Sequence, residues 1–201
     1  MPDFEYEKAA AKSGFKYICG VDEAGRGPLA GPVCAAAVIL PENCDIEGLN
    51  DSKKLSEKKR EQLFDIIKEK AVAYSVAFGS LEEIEELNIL EATYLAMNRA
   101  IGALSVKADF ALIDGNRVPK NIKIPCETIV KGDSKSMSVA AASVLAKVTR
   151  DRLLLEYDEK YPLYNFKKHK GYGTKEHTDL IKLYGPCEIH RLSFLKNILG
   201  K

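Results

Sequence analysis

The chain has 201 residues, of which 46% are hydrophobic and 29% are charged, and its formal net charge is +1. This length fits one large domain or a domain with an extension, and the composition is ordinary for a soluble globular enzyme. Global charge gives no indication of a polyanionic partner, so any basic surface must be local. The five cysteines form no CxxC pair, and no apolar run reaches about 18 residues, so we expect reduced thiols, no membrane span and a cytoplasmic location.

Apolar runs alternate with helical patterns along the chain, which predicts a mixed five-stranded α/β sheet with helices on both faces. Strands are expected at residues 17–22, 33–40, 71–79, 108–114 and 126–131. Helical patterns begin at Ser56, recur from Leu90 to Leu104, continue in an alanine-rich stretch from Ser138 to about Tyr157, and end with a short helix from Thr174 to Leu183. A helical appendix is therefore expected at the C-terminal end.

Two adjacent acids, Asp22 and Glu23, follow the first apolar strand and precede the turn Gly25-Arg26-Gly27. An ionised carboxylate in an apolar environment is costly unless a cation neutralises it. Neighbouring side chains on a regular strand point to opposite faces. The two acids can share one metal only if the strand is ending, and we expect the glycine turn to end it. Oxygen ligands of this kind suit a hard divalent cation such as Mg²⁺ or Mn²⁺.

Two further acids follow later strands. Asp114 ends the fourth strand, and Asp133 follows the fifth. Because ligands of open α/β sheets gather beyond the carboxyl ends of strands, this placement predicts a site for two metals ~4 Å apart that clamp an in-line displacement. Each acid also has a structural interpretation: Asp114 can be a turn residue, and Asp133 can be an acid at the start of a helix.

Two basic segments, residues 51–54 and 167–174, fit a nucleic-acid backbone, and the second carries Tyr172 between two glycines. An exposed tyrosine can stack on a sugar or base, but it can equally steady a turn, and the first segment can be a solvated helix face. The three histidines lack metal-ligand spacing and are predicted to be surface or loop residues: His169, His177 and His190.

Six motifs, in this order, resemble bacterial ribonuclease HII. They are Asp-Glu-Ala-Gly-Arg-Gly-Pro at 22–28, Asp-Ser-Lys at 51–53, Asp-Gly-Asn at 114–116, Lys-Gly-Asp-Ser at 131–134, the alanine-rich motif at 140–151, and His-Lys-Gly-Tyr-Gly at 169–173. The resemblance covers nearly the whole chain. It implies an RNase H-like fold, with a catalytic domain at residues 1–160 and a C-terminal helical extension at 161–201 that completes the substrate groove.

The resemblance also implies an activity. The expected enzyme is a hydrolase, an endoribonuclease that uses two divalent cations, Mg²⁺ or Mn²⁺, to cut the RNA strand of RNA-DNA hybrids. It is expected to cut 5′ of single ribonucleotides in duplex DNA as well, leaving 3′-OH and 5′-phosphate ends. Its partners are then the hybrid and the ribonucleotide-containing duplex, and we expect a monomer.

Roles for individual residues follow from the same resemblance. It implies that the metal-binding, catalytic acids are Asp22, Glu23, Asp114 and Asp133. The substrate-binding residues are then Gly25, Arg26 and Gly27, which sense the ribose 2′-OH, together with Ser52, Lys53 and Tyr172, whose ring packs on the neighbouring deoxyribose. Asp151 is interpreted as structural.

Two other classes of protein compete with this interpretation. A ribonuclease HI-type or transposase-type nuclease has a similar acid layout, but the glycine-rich loop beside the acids argues against it. A non-enzymatic hybrid-binding module has no use for clustered carboxylates that repel phosphate. The related type HIII enzymes carry an additional N-terminal domain, whereas only about sixteen residues precede the first strand here, so type HII is expected.

Overall fold

The computed structural model describes residues 1–200, which form five strands and eight helices. The strands are β1 (Ile18–Ala24), β2 (Val33–Ile39), β3 (Ala73–Gly79), β4 (Phe110–Asp114) and β5 (Cys126–Ile129). The helices are α1 (Glu5–Lys12), α2 (Glu57–Lys70), α3 (Leu81–Leu87), α4 (Ile89–Gly102), α5 (Met137–Lys160), α6 (Phe166–His169), α7 (Lys175–Tyr184) and α8 (Lys196–Leu199). No helix in this range is both long and apolar enough to cross a bilayer.

The strands form one mixed sheet in the order β3-β2-β1-β4-β5, which confirms the predicted sheet. Strands β3, β2 and β1 pair antiparallel, whereas β1, β4 and β5 pair parallel. The carboxyl ends of the three parallel strands therefore meet at one edge of the sheet. The acids predicted from the sequence follow or end these strands, so the topology brings them to that edge.

Helices cover both faces of the sheet, as predicted. Alternate residues of β2 divide between the two: Cys34, Ala36 and Val38 pack with α2 and α5, whereas Ala35, Ala37 and Ile39 pack with α4. Since both faces are covered, β2 is buried along its whole length and its sequence is continuously apolar.

Helix α5 passes through the middle of the molecule, and every residue from Met137 to Ala146 is buried. Such a helix needs small or apolar residues on all sides, which explains its run of alanines and serines. Ser136 caps its first turn by accepting a hydrogen bond from the Val139 amide. The same helix packs on β1 and β2 and extends toward the C-terminal region, so it connects the sheet with the extension.

Residues 161–200, the C-terminal extension, contain α6, α7 and α8. Its apolar side chains form a separate cluster against Ala30 and Leu154, whose buried members include Tyr164, Phe166, Ile181, Ile189 and Leu195. The extension therefore packs on the segment that follows β1 as well as on α5. Helix α3 confirms the acidic helix face that Glu82, Glu83, Glu85 and Glu86 predict. Helices α1, α6 and α8 were not predicted, because none of them exceeds eight residues and their periodic patterns are correspondingly brief.

Candidate active site

The strand that carries the first two acids does not end where the sequence predicted. β1 extends to Ala24, because its antiparallel pairing with β2 continues through Ala24 and Cys34. Its parallel pairing with β4 stops at Val21 and Ile113, so the last residues of β1 have one free edge. The glycine turn directly follows the strand, as expected, but both acids still lie within β1, and they meet the third acid where the pairing of β1 with β4 has ended.

Asp22, Glu23 and Asp114 form a compact group of carboxylates. One oxygen from each lies within 4.8 Å of the others. Main-chain amides orient two of them: the Glu23 amide donates to Asp22 Oδ1 at 2.7 Å, and the Gly132 amide donates to Asp114 Oδ1 at 2.6 Å. Arg26 Nη1 donates to Glu23 Oε1 at 3.3 Å.

The electrostatics of this group favour protonation or a bound cation. Asp22 is only 3% exposed, and burial together with the charges of Glu23 and Asp114 raises its carboxyl pKa well above the ordinary value. Burial also raises the pKa of Glu23, and Asp114 adds to that rise while Arg26 opposes it. Nearby arginine thus offsets only part of the negative charge. The remaining demand for positive charge is what a divalent cation meets.

The fourth predicted acid, Asp133, is buried in a short 3-10 turn before α5 and is not part of the close group of three. Burial, followed by the carboxylates of Asp51 and Asp114, raises the pKa of Asp133 to about 6. Asp51, which the sequence analysis did not select, accepts a hydrogen bond from the Lys53 amide at 2.9 Å. Only its Asp-Ser-Lys context could have indicated this position.

Lys53 and Ser52 are neighbours in the chain but face different surroundings. Partial burial would lower the pKa of Lys53, yet the carboxylates of Asp22 and Asp133 outweigh it and raise that pKa, so the side chain stays charged beside the acids. Ser52 is buried, and its hydroxyl lies 2.7 Å from that of Ser143 in α5. The Ser52 side chain therefore points into the protein interior, whereas Lys53 lines the cavity beside Asp114.

Two cavities flank Asp114. One of about 330 Å³ extends from Glu23 and Arg26 to Arg117. The other, of about 320 Å³, lies between Asp114, Lys53 and Asp133. Both cavities thus combine acids with basic side chains, and the basic side chains can attract a polyanionic strand. Arg117 was not selected from the sequence, because a lone arginine after a strand carries no motif.

The glycine-rich loop lies directly after the acids. Gly25 is buried at φ +94°, and a Cβ there would lie 2.0 Å from Arg150 Nε. Gly27 is exposed, and the nearest atom to a Cβ at that position would be Tyr172 Cε1 at 4.0 Å. The two glycines therefore differ: Gly25 is required by the protein's own packing, while Gly27 leaves an open surface beside Tyr172.

Tyr172 lies on the loop between α6 and α7, and its side chain is 42% exposed. The ammonium group of Lys147 in α5 lies 5.7 Å from the centre of its ring. Asp151, one turn along α5, holds that ammonium group at 2.7 Å. The structural role expected for Asp151 is consistent with this contact, which places Lys147 beside the tyrosine.

The prediction that the histidines are surface or loop residues was wrong for His169 and His177, which lie in α6 and α7, whereas His190 does lie in a loop. All three are buried in the extension, where the ring of His169 stacks on that of His177 and the two Nε2 atoms of His177 and His190 lie 3.1 Å apart. His177 Nδ1 lies 2.9 Å from the carbonyl oxygen of Tyr172. The histidine cluster thus contacts the main chain of the Tyr172 loop. Sequence spacing could not reveal it, because the rings come from three separate segments.

Known proteins that are similar to this chain identify its family. The family model for Ribonuclease HII matches residues 19–197. The Ribonuclease HII of Caldicellulosiruptor bescii is 57% identical over 197 residues, which cover 98% of this chain and 95% of the relative. The chain belongs to the ribonuclease HII family. Among solved structures, the ribonuclease H2 from Pyrococcus horikoshii OT3 is similar with a TM-score of 0.76 and 28% identity, covering 92% of this chain and 98% of that one.

A second solved ribonuclease HII, from Archaeoglobus fulgidus in complex with PCNA, has a TM-score of 0.72 and 26% identity over 88% of this chain and 94% of that chain. These similarities confirm the RNase H-like fold. As a member of the ribonuclease HII family, the chain is a hydrolase, a metal-dependent endoribonuclease that cuts the RNA strand of RNA-DNA hybrids.

Proposed function

We propose that Asp22, Glu23, Asp114 and Asp133 hold two divalent cations, Mg²⁺ or Mn²⁺, and that the enzyme also cuts 5′ of a single ribonucleotide in duplex DNA. The products end in 3′-OH and 5′-phosphate. The observation that carries this proposal is the close group of three carboxylates beside an exposed glycine loop and an exposed tyrosine. The acids supply the hydrolytic site, and the loop and the ring supply a means to select the sugar.

The acid group fits hard cations. All of its donor atoms are carboxylate oxygens, and the pKa of Asp22 is raised by burial and by the neighbouring carboxylates of Glu23 and Asp114. Divalent cations held there would activate the attacking water and stabilise charge on the leaving oxygen. The chain contributes the orientation: the amides of Gly132 and Glu23 hold two of the carboxylates, and Lys53 lines a cavity together with Asp114 and Asp133.

Sugar selection is assigned to the loop of Gly25, Arg26 and Gly27. The 2′-OH both donates and accepts hydrogen bonds and is the group by which a protein distinguishes RNA from DNA. Gly27 is exposed and lacks a side chain, so its main chain can approach that hydroxyl closely. Tyr172 lies against Gly27 and can stack on the sugar of the flanking deoxynucleotide. Lys53 and Arg26 are available for contacts with backbone phosphates.

The division into a catalytic domain at 1–160 and an extension at 161–201 stays a proposal, as do the monomeric state and the cytoplasmic location. The extension supplies Tyr172, so the substrate groove needs both parts of the chain. A complex with PCNA is a property of the archaeal relative.

The proposal is tested by cleaving two substrates, a duplex with one ribonucleotide and a long RNA-DNA hybrid, with and without Mg²⁺. We expect Mg²⁺-dependent cleavage of both, with 3′-OH and 5′-phosphate ends at the ribonucleotide. Tyr172→Ala should reduce cleavage of the single-ribonucleotide duplex by about ten- to a hundredfold, the cost of a lost stacked ring, and affect the hybrid less. Tyr172→Phe, which keeps the ring, is the matched control.

Two outcomes would contradict the proposal. A 2′,3′-cyclic phosphate among the products would mean that the 2′-OH had attacked the phosphorus in place of water. Equal losses on both substrates for Tyr172→Ala would mean that the ring supports the fold without reading the junction.

A further inference from the structure

Two arginines, Arg150 in α5 and Arg191 in the C-terminal extension, are the largest fully buried side chains of the protein, at 1% and 0% exposure. Neither forms a salt bridge with any residue in the range 1–200. A buried charge is costly unless it is paired or hydrogen-bonded. These two guanidinium groups must therefore be stabilised by hydrogen bonds.

Arg191 binds four main-chain carbonyls of the loop that follows β1. Its Nη2 donates to the carbonyl of Gly25 at 2.6 Å. Its Nη1 donates to the carbonyls of Arg26 at 2.9 Å and Pro28 at 2.8 Å, and its Nε donates to that of Gly31 at 2.9 Å. One side chain thus holds both ends and the middle of a seven-residue segment that lies about 160 positions earlier in the sequence.

Arg150 binds the end of the same loop and connects it to the tyrosine loop. It donates to the carbonyls of Ala30 at 2.9 Å and Pro32 at 3.1 Å, and its third bond, from Nη1, reaches the carbonyl of Lys170 at 3.1 Å. Main-chain bonds run beside these contacts: the Leu29 amide donates to Gly171, and the Gly31 amide donates to Ile189.

The arginines occupy carbonyls and leave amides free. Within residues 1–200, the N–H groups of Gly25, Arg26 and Gly27 donate to no protein acceptor, while the carbonyls of Gly25 and Arg26 are occupied by Arg191. The guanidinium is rigid and planar and carries five donors in fixed directions, so it can hold several carbonyls in one arrangement. These three main-chain N–H groups are therefore available to a ligand.

We propose that Arg150 and Arg191 are positioning residues for the endoribonuclease: they fix the Gly25-Arg26-Gly27 main chain and the Tyr172 loop as one rigid unit next to the acids. This inference deepens the proposed function and rests on it. The proposal also explains why residue 25 is a glycine, because any side chain there would collide with Arg150. Recognition of the ribose 2′-OH therefore depends on two arginines that do not contact the substrate.

The test compares Arg191→Lys and Arg150→Lys with wild type on the single-ribonucleotide duplex. Lysine keeps the charge but cannot span the carbonyls, so kcat should fall by at least about tenfold through misplacement of the loop. KM should stay within about threefold, because the lysines that bind phosphate are untouched. Arg152→Lys is the matched control: Arg152 lies on α5 two residues from Arg150 but is exposed and paired with Glu61, and we expect its kinetics to match wild type.

Amide hydrogen exchange provides a second readout that a general loss of stability would not produce. In wild type the Leu29 and Gly31 amides should be protected, and in the lysine variants they should exchange faster while amides of β1 and β2 keep their wild-type rates. Wild-type kcat in both variants, or unprotected Leu29 and Gly31 amides in wild type itself, would overturn the inference. Failure of wild type to cut the single-ribonucleotide duplex would instead overturn the proposed function.

Discussion

At the scale of single residues, Asp22 is a proposed metal ligand that lowers the stability of the metal-free protein. Its pKa is raised by burial and by the charges of Glu23 and Asp114, so without metal its ionised form destabilises the folded state. A carboxyl group whose folded pKa is raised contributes stability at low pH, below its unfolded pKa, and loses that contribution as pH rises through the folded pKa. Ionised Asp22 therefore destabilises the metal-free protein most at neutral and alkaline pH.

We accordingly predict that Asp22→Asn raises the melting temperature of the metal-free protein at pH 8. A gain of 2 °C or more would correspond to about 1 kcal/mol for a domain of this size. The gain should shrink as pH falls, because wild-type Asp22 then becomes protonated. Thermal unfolding in the presence of EDTA measures both effects, with Asp65→Asn on the exposed face of α2 as the control. A lower melting temperature for Asp22→Asn at pH 8 would contradict this account.

The two glycines of the loop should respond differently to the same methyl group. Gly27→Ala has room in the free protein, so we predict a melting temperature within about 2 °C of wild type, equivalent to less than about 1 kcal/mol. Cleavage should nevertheless fall by at least about tenfold, since the methyl group intrudes where the sugar approaches. Gly25→Ala should instead destabilise the fold, because Arg150 occupies that space and the residue has φ +94°.

Melting curves and cleavage rates for the two variants, measured side by side, check this contrast. Normal cleavage by Gly27→Ala would show that the substrate does not approach the loop at this point.

The acids were within reach of sequence reasoning, whereas the arginines that hold the loop were not. Asp22 lies near the end of an apolar strand and Asp114 ends another, and that local pattern is visible in the sequence. Arg191 contacts carbonyls about 160 positions away, and a main-chain carbonyl leaves no trace in residue type. The function of Arg191 therefore appears only when the fold brings the extension against the loop.

At the scale of elements, the C-terminal extension shows how strongly burial can change a residue's expected role. Three histidines that looked like loop residues form a buried cluster below Tyr172. Burial lowers the pKa of His177 to about 4 and that of His190 to about 4, so both rings are neutral in the folded state. Their contribution to stability is present above the unfolded histidine pKa of about 6.5 and is lost as pH falls from there toward 4.

We predict that the free energy of unfolding drops steeply between pH 6.5 and 4.5, by up to about 1.4 kcal/mol per pH unit for each ring that must be protonated. His177→Gln should lower the stability at pH 7 and also flatten this pH dependence. Urea unfolding at a series of pH values measures both quantities. An unchanged slope in His177→Gln would mean that the ring is already protonated in the folded protein.

The strand boundary at the active site shows a second limit of sequence reasoning. The sequence indicated that β1 ends at Asp22, because adjacent side chains of a regular strand point to opposite faces and the two acids could share a metal only where the strand is ending. The pairing with β2 nevertheless carries β1 to Ala24, and only the side facing β4 is open. Which edge of a strand lacks a partner depends on the lengths of its neighbours, and no local pattern in β1 records that.

At the scale of the whole molecule, the mixed sheet explains why the site lies where it does. The net charge of +1 gives no global attraction to nucleic acid, so recognition must come from the cleft. There the parallel strands end together, the acids meet, and basic side chains such as Lys53, Arg26 and Arg117 line the cavities on either side. The C-terminal extension adds Tyr172 beside Gly27, so both parts of the chain contribute to one surface.

The central claim is that the carboxylates at the ends of β1 and β4 hold the catalytic metal. Single-turnover cleavage of a duplex with one ribonucleotide, at saturating Mg²⁺, tests it with wild type and Asp114→Asn. We predict cleavage 5′ of the ribonucleotide by wild type. The variant should be slower by at least about a thousandfold, because a lost metal ligand removes several kcal/mol of transition-state stabilisation. Cleavage by folded Asp114→Asn at a rate within about tenfold of wild type, less than about 1.4 kcal/mol in barrier height, would contradict the account.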